Sequence, residues 1–181
     1  MAAAWLFYTG CRVSEAVRAQ QEDVRFREEL SMWEWVIPHS KTHTPRTVRL
    51  PDGLVPYITQ ARKVHSPRPN WPLLWDCSGR GFAREEDTSA RISEKTINSA
   101  LERARDKVGL QVHVTAHVAK HSYCTNWIRH AQTSEFAMQK LSRQVGTSVE
   151  VLRATYVHLD LTEADWHDLR SFGAPLTAVA G

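Results

Sequence analysis

The stretch HVTAHVAKHSYCTNWIRHA, residues 113–131, places four histidines and a lysine in one predicted helix. His113, His117 and His121 recur every four residues, so they share one stripe of a helix, and Lys120 lies directly before the last of them. Such a stripe fits a metal site, a nucleic-acid contact surface or a catalytic pocket, and its spacing alone leaves all three open. Because structural metal sites built only from histidine are uncommon, we predict no metal here.

The composition is that of an ordinary soluble domain. The chain has 181 residues, of which 42% are hydrophobic and 24% charged, enough for one domain with its own core. The formal net charge of +3 permits a nucleic-acid partner without requiring one. Basic residues concentrate between positions 37 and 70, where Asp52 is the single acid, while residues 158–170 are mainly acidic. We therefore expect one face to meet phosphates.

The cysteines indicate the compartment in which the protein lies, and the first residues indicate whether the domain is complete. Three cysteines without a CxxC pair indicate free thiols in a reducing cytosol. No apolar run approaches membrane-spanning length and no signal peptide is visible, so we expect a cytoplasmic protein without membrane contact. The opening MAAAWLFYTGCRVSEAV, residues 1–17, starts as if within a helix and without a cap. This predicts that an N-terminal portion lies outside the chain.

The hydrophobic and turn patterns predict a mainly α-helical fold with a small antiparallel β-hairpin or three-stranded sheet. Helices are predicted at 2–9 before Gly10, from Ser14 to about Gln20, over 52–64, from Ser93 to Gly109, from Thr115 to about Ala131, and over 134–145, 148–156 and 162–172. The hairpin is predicted from two β-prone runs, Trp33–Ile37 and Arg46–Leu50, and residues 66–91 read as a surface loop.

Four stretches, in one order and spread between residues 6 and 160, resemble the sequence boxes of a known family. They are LFYTGCRVSEAVRAQQEDV (6–24) with Arg12, SKTHTPRTVRLP (40–51) with Lys41, VTAHVAKHSYCTNW (114–127) with His117 and Lys120, and LSRQVGTSVEVLRATYVHLD (141–160), in which Gly146 precedes Tyr156 by ten residues. The chain resembles the catalytic domain of the tyrosine recombinases, also called phage integrases. The resemblance implies the DNA breaking-rejoining fold over 1–181, without its first helix and without the family's N-terminal core-binding domain.

The resemblance also implies roles for individual residues. The catalytic set is Tyr156 as nucleophile, Arg12, His117 and Lys120 at the scissile phosphate, Lys41 as general acid, and Thr147 next to the glycine. Contacts to the DNA backbone are expected from Arg46 and Arg49, together with Lys41 and Lys120. His121 and Tyr123 are expected to pack and support the helix rather than take part in chemistry.

These residue types suit metal-free cleavage of a phosphodiester, and no cofactor is expected. A phenol with a pKa near 10 is a poor nucleophile until a neighbour removes its proton. A guanidinium grips two non-bridging oxygens at once. A lysine can protonate the leaving 5′-oxygen, and a histidine can bond the phosphate or shuttle a proton.

Two positions depart from the family pattern. Lys120 stands where the family has its second arginine, and Thr147 stands where it has histidine or tryptophan. Lysine is a point donor without the bidentate grip, which predicts a loss of about 2–4 kcal/mol of transition-state binding. Three outcomes stay open: a slow but competent enzyme, a degenerate DNA-binding remnant of an integrase, or a site rebuilt with help from another residue such as Arg143 or Arg153.

The resemblance implies site-specific cleavage and rejoining of DNA through a 3′-phosphotyrosine, for integration or excision of a phage or other mobile element of a prokaryote. A type IB topoisomerase, which nicks and closes DNA without exchanging partners, is the enzymatic alternative. The expected partners are a double-stranded attachment site, further copies of the chain in a tetramer on DNA, and accessory DNA-bending or directionality factors. Residues 160–181 are expected to form a C-terminal helix and tail that dock on a neighbouring protomer or pack in cis.

Overall fold

The structure is a computed structural model that describes residues 1–38, 45–65, 69–74, 91–130 and 134–156. Within these ranges the chain forms α-helices and one antiparallel sheet. The elements are α1 (Ala2–Thr9), α2 (Val13–Arg18), β1 (Val24–Arg27), β2 (Met32–Ile37), β3 (Arg46–Leu50), α3 (Val55–His65), α4 (Glu94–Lys107), α5 (Ala116–His130), α6 (Glu135–Val145) and α7 (Val149–Tyr156). Single turns of 3-10 helix lie at Glu28–Leu30 and Asp52–Leu54.

The helix ends follow from local sequence. Side-chain oxygens of Ser93 and Ser134 accept hydrogen bonds from backbone N–H groups in the first turns of α4 and α6. Gly10 and Gly146 end α1 and α6 in the left-handed conformation, with φ of 62° and 63°. Thr115 Oγ1 accepts from the backbone N–H of Val118, as expected for its cap of α5.

The start of α2 differs from the prediction of a helix from Ser14, with Ser14 as the capping residue. Arg12 is the residue before the helix, and its backbone N–H donates to Glu15 Oε2 at 2.8 Å. A carboxylate three residues into a helix satisfies the N-terminal backbone in this way. The prediction was wrong because it gave the cap to the serine and overlooked the glutamate.

The sheet has the order β1-β2-β3, with both pairs antiparallel. Residues of a strand alternate between the two faces, so Arg46, Val48 and Leu50 share one face of β3. Val48 and Leu50 are buried, while Thr47 and Arg49 on the other face are exposed. The alternation therefore turns Arg46 toward the interior of the domain and Arg49 toward solvent.

Two clusters of buried side chains form the core. The larger one joins α1, the sheet and α4, and at its centre Trp5 meets Trp35 edge-on with ring centroids 5.2 Å apart. The smaller one joins α5, α6 and α7, and Tyr156 belongs to it. The site residues described below lie on, or next to, elements that pack in these two clusters.

The observed architecture confirms the predicted fold class, a mainly helical domain with a three-stranded antiparallel sheet. The two predicted hairpin strands and the helices over 134–145 and 148–156 appear within one or two residues of their predicted bounds. Lys41, most of the predicted loop 66–91 and the predicted C-terminal helix lie outside the described residues. None of the helices in the described ranges is long and apolar enough to cross a membrane.

Candidate active site

Tyr156 is the last residue of α7, and only 6% of it is exposed. Its hydroxyl lies 2.7 Å from Nδ1 of His121 on α5. Burial, followed by the neighbouring Cys124 thiol, raises the pKa of the Tyr156 phenol above its ordinary value. The phenol is therefore protonated at neutral pH and needs a proton acceptor before it can act as a nucleophile.

His121 connects the tyrosine to a second histidine. Its Nε2 lies 2.7 Å from Nε2 of His117, one turn earlier on α5, and the ring centroids are 4.3 Å apart. His117 is exposed, whereas His121 is half-buried. Burial, then His117 and Lys120, lowers the pKa of His121, which favours the neutral ring. The sequence analysis expected His121 to pack and support the helix, and it did not predict this contact between the His121 ring and the hydroxyl of Tyr156.

Two cations bind the end of α6, the helix that precedes α7. Arg12 donates to the carbonyl oxygen of Gly146 at 2.5 Å, and Lys120 Nζ donates to that of Val145 at 2.8 Å. The last carbonyls of a helix have no partners within the helix and carry partial negative charge. They therefore hold both side chains next to the turn that leads to Tyr156.

A buried carboxylate organises a third cation. Glu15 is 5% exposed, and its two oxygens accept from the two terminal nitrogens of Arg46 at 2.6 and 2.8 Å. Glu15 also accepts from the Arg12 guanidinium at 3.2 Å. Burial alone would raise the pKa of Glu15, but the bonds from Arg46 and then Arg12 outweigh it and hold that pKa below its ordinary value.

The resulting cluster carries an excess of positive charge. Arg12, Arg46 and Lys120 supply three cations around the one carboxylate of Glu15. Burial, then Arg12, lowers the pKa of Lys120 to about 8, since a partly buried ammonium beside a guanidinium is less stable than one in water. A cluster with this charge is suited to an anion such as a phosphodiester, whose negative charge would balance it.

Three further residues were predicted for the site, namely Thr147, Arg49 and Lys41. Thr147 is half-buried directly after Gly146, and its backbone N–H donates to the Ser142 carbonyl. Arg49 is exposed, and its backbone N–H and carbonyl bond the Gln144 amide of α6 at 3.1 and 2.9 Å. Lys41 lies outside the described residues, so its predicted role stays a prediction.

Arg143 and Arg153 were suggested from the sequence as replacements for the family's second arginine, where this chain has Lys120. Arg143 is exposed on α6, and Arg153 pairs with Glu135 on the surface. Arg46 instead lies inside the cation cluster, with its side chain 10% exposed. Among the residues the structure describes, Arg46 is thus the additional guanidinium placed beside Arg12 and Lys120.

The sequence analysis assigned no role to Glu15, and it expected Arg46 to contact the DNA backbone without predicting its pairing with a buried carboxylate. One signal was present in the sequence, because Arg46 alternates in phase with Val48 and Leu50. Glu15 could be found as the third residue after Arg12 at a helix start. In the described ranges, no three histidine, cysteine or acidic residues are grouped in a way that could hold a metal ion.

The model of the phage integrase family matches residues 1–163. No curated protein sequence matches the chain. Among solved structures, XerA recombinase is 19% identical with a TM-score of 0.66, covering 95% of this chain and 56% of that one. XerH site-specific recombinase, bound to its difH substrate in a pre-cleavage complex, is 15% identical with a TM-score of 0.65, covering 94% and 45%.

A third solved structure is that of the Tn1549 transposon integrase in complex with transposon right-end DNA. It is 15% identical with a TM-score of 0.64, and the alignment covers 96% of this chain and 58% of that one. The chain thus spans about half the length of these solved structures, with which it shares the fold. Since the family model extends over most of the sequence, the chain belongs to the phage integrase family.

Proposed function

We propose that the chain cleaves and rejoins DNA strands at specific sites through a covalent 3′-phosphotyrosine at Tyr156. The observation that carries this proposal is the contact between the Tyr156 hydroxyl and His121, adjacent in sequence to the cation Lys120. A buried phenol with a proton acceptor, near groups that attract a phosphate, is the arrangement that nucleophilic attack on phosphorus requires.

In the proposed cleavage step, Oη of Tyr156 attacks the scissile phosphorus and the bond from phosphorus to the 5′-oxygen breaks. The phenol loses its proton, and the leaving 5′-oxygen gains one. Lys41 is proposed as the acid that supplies the second proton, on the strength of its place in the lysine box. Rejoining is the reverse reaction, with a 5′-hydroxyl as nucleophile and Tyr156 as leaving group.

The phosphate would lie against Arg12, Lys120 and His117. We propose that Arg46 supports these phosphate contacts. Lys120 lacks the bidentate contact of an arginine, and a second guanidinium next to Arg12 compensates for that loss. Glu15 holds Arg46 in place through two hydrogen bonds. Thr147 would contribute at most one hydroxyl hydrogen bond, where the family has a larger side chain.

The proposed substrate is DNA, and the proposed partners are further copies of the chain and accessory proteins. The XerH and Tn1549 integrase structures are complexes with DNA, which supports double-stranded DNA as the substrate here. We propose that the chain acts in the cytoplasm of a prokaryote as a tetramer on an attachment site, with accessory factors that bend DNA or set direction. Arg49 and other exposed cations would contact the DNA backbone, where they position the protein without reading sequence.

A specific observation also favours the degenerate, DNA-binding alternative, namely Lys120 in place of the family's arginine. The test that separates the two is covalent trapping. A supercoiled plasmid carrying the DNA that flanks the gene is incubated with the full chain in chelator, and products are separated under denaturing conditions. Wild type, Tyr156→Phe and Lys120→Arg are compared, with Tyr57→Phe as control because Tyr57 is exposed outside the site.

The proposal expects a protein–DNA adduct with wild type and Tyr57→Phe and none with Tyr156→Phe. An adduct with Lys120→Arg alone would mean that this copy binds DNA and has lost cleavage at its phosphate clamp. Relaxed plasmid without recombinant products would instead favour topoisomerase-like nicking and closing. An undiminished adduct with Tyr156→Phe would overturn the assignment of the nucleophile.

A further inference from the structure

Three side chains form a continuous line of hydrogen bonds from the buried nucleophile to the surface. The hydroxyl of Tyr156 meets Nδ1 of His121 at 2.7 Å, and the opposite nitrogen of the same ring meets Nε2 of His117 at 2.7 Å. Tyr156 is 6% exposed, His121 is half-buried and His117 is exposed. The line therefore begins at the reacting atom and ends in water.

We propose that His121, and not the box histidine His117, takes the proton from Tyr156, and that His117 passes it between His121 and solvent. This inference rests on the proposed function, because it names the base for the same nucleophile. It makes His121 a catalytic residue through its contact with the reacting oxygen. His117 keeps a role at the phosphate and adds a role in proton transfer.

The proposed transfer requires one set of hydrogen-bond directions. For Tyr156 to pass its proton to His121, the phenol O–H donates and Nδ1 of His121 accepts, so in this arrangement Nδ1 carries no proton. A neutral imidazole has one N–H, which then lies on Nε2 of His121 and donates to Nε2 of His117. His117 consequently carries its own proton on Nδ1. All three groups are neutral in this arrangement, and every proton in the line has an acceptor.

The surroundings of His121 favour the neutral, accepting ring. From α5 the groups facing it are His117 and the cation Lys120, with Cys124 one turn beyond, and from α7 it is Tyr156. On its open side His121 lines a groove with the apolar Phe7 of α1 and with Arg129. No carboxylate among the described residues bonds its ring, so nothing there stabilises an imidazolium ahead of the reaction.

The proton balance of the step is complete. As the bond from Oη of Tyr156 to phosphorus forms, the phenolic proton moves to Nδ1 of His121. The proton on Nε2 of His121 moves to Nε2 of His117, and His117 releases its Nδ1 proton to water. The 5′-oxygen receives a proton from a separate acid as its bond to phosphorus breaks. Rejoining runs each transfer in reverse.

The test separates activation of the nucleophile from protonation of the leaving group. The cleavage position is first mapped from the wild-type adduct, and a duplex is made with sulfur in place of the bridging 5′-oxygen there. A thiolate leaves without protonation, because thiols are far more acidic than alcohols. This substrate rescues a variant that lacks the general acid and does not rescue one that lacks the base.

The variants are His121→Phe, His121→Asn and Lys41→Ala. His113→Phe is the matched control, since His113 lies four residues before His117 in sequence, ahead of the start of α5, and is exposed. We expect His121→Phe to slow single-turnover cleavage by about 10²–10⁴-fold with either leaving atom. His121→Asn, which offers a hydrogen bond without titration, should be slow and should lose the dependence of rate on the ionisation of histidine. His121→Phe and His121→Asn should both bind the duplex as tightly as wild type does.

The outcomes distinguish this inference from the function on which it rests. Wild-type rates in His121→Phe, or its rescue by sulfur, would overturn the role of His121 while leaving Tyr156 as nucleophile. Absence of any adduct with wild type would overturn both. A second measurement needs no DNA: nitrogen NMR at neutral pH should find the His121 proton on Nε2, and a proton on Nδ1 instead would contradict the proposed direction of transfer.

Discussion

Lys120 occupies a position where the family has an arginine, and its surroundings change its charge as well as its shape. Its Nζ is bonded to the carbonyl of Val145, and burial followed by Arg12 lowers its pKa to about 8. An arginine at this position would stay protonated at any physiological pH. The strength of the phosphate clamp should therefore depend on pH in this protein.

The sign of that dependence follows from the lowered pKa. Below pH 8 the Lys120 ammonium is charged and attracts a phosphate, while above pH 8 the free protein must take up a proton to bind as tightly. We expect affinity for a DNA duplex to fall about tenfold between pH 7 and pH 9. Lys120→Arg should lose this dependence. Fluorescence anisotropy at constant ionic strength measures the affinity of wild type and of Lys120→Arg at each pH. Parallel pH curves for these two proteins would refute the role of Lys120 in the pH dependence.

Arg46 and Arg49 lie three residues apart on β3 and should behave differently. Arg46 faces the site and bonds Glu15, whereas Arg49 faces solvent. We expect Arg46→Ala to slow cleavage by about 10²–10³-fold with a smaller effect on DNA binding. Arg49→Ala should instead weaken binding and reduce its salt dependence by about one ion, with cleavage of bound DNA unchanged.

Two measurements separate the effect on cleavage from the effect on binding. One is single-turnover cleavage at saturating protein, and the other is a set of binding isotherms at several salt concentrations. Thermal unfolding of both variants serves as the control for folding, because Arg46→Ala leaves the buried Glu15 with one fewer partner. If Arg46→Ala and Arg49→Ala lose binding and cleavage in the same proportion, Arg46 contacts DNA only as a surface cation does.

At the scale of elements, the turn between α6 and α7 sets the position of the site. Val145 and Gly146 end α6 and offer their carbonyls to Lys120 and Arg12, and α7 then carries the chain to Tyr156. Gly146 has a φ of 63°, and a Cβ there would lie 2.7 Å from Cζ of Arg46. The glycine is thus required both by the backbone and by the guanidinium packed against it.

Gly146→Ala and Gly109→Ala form a matched pair that separates these two requirements. Gly109 has a similar φ of 71°, but a Cβ there would meet nothing within 4 Å. We expect Gly109→Ala to cost about 1 kcal/mol of unfolding free energy, the backbone strain alone. Gly146→Ala should cost about 1–3 kcal/mol more, because the Arg46 side chain must move. Urea denaturation measures the two costs, and equal values would show that Arg46 moves freely.

Local sequence predicted the elements more completely than the contacts between them. Ser93 and Gly109 predicted the bounds of α4 to within two residues, and alternation predicted β2 and β3. Residues 24–27 were not predicted as a separate strand, since β1 buries only Val24 and shows no apolar face. The contact between His121 and Tyr156 was missed because it arises from the packing of α5 against α7, 35 residues apart in sequence.

At the scale of the molecule, the candidate site lies where the two buried clusters meet. Arg12 and Arg46 belong to elements that pack in the larger cluster, and Tyr156 belongs to the smaller one. Contacts between α1 and α5 and the bonds of Gln144 to Arg49 hold the two together. The resemblance of the four sequence boxes pointed to Arg12, Arg46 and Tyr156, but the pairing of Glu15 with Arg46 depends on the packed tertiary fold.

Tyr156 is the residue proposed to form the covalent bond to DNA. The most direct measurement is mass spectrometry of the wild-type adduct after digestion with nuclease and protease, together with labelling of the free DNA end. This assignment predicts a nucleotide attached through its 3′-phosphate to the peptide that contains Tyr156, and a free 5′-hydroxyl on the cleaved strand. A nucleotide on any other residue, or a free 3′-hydroxyl with a 5′-linked peptide, would contradict it.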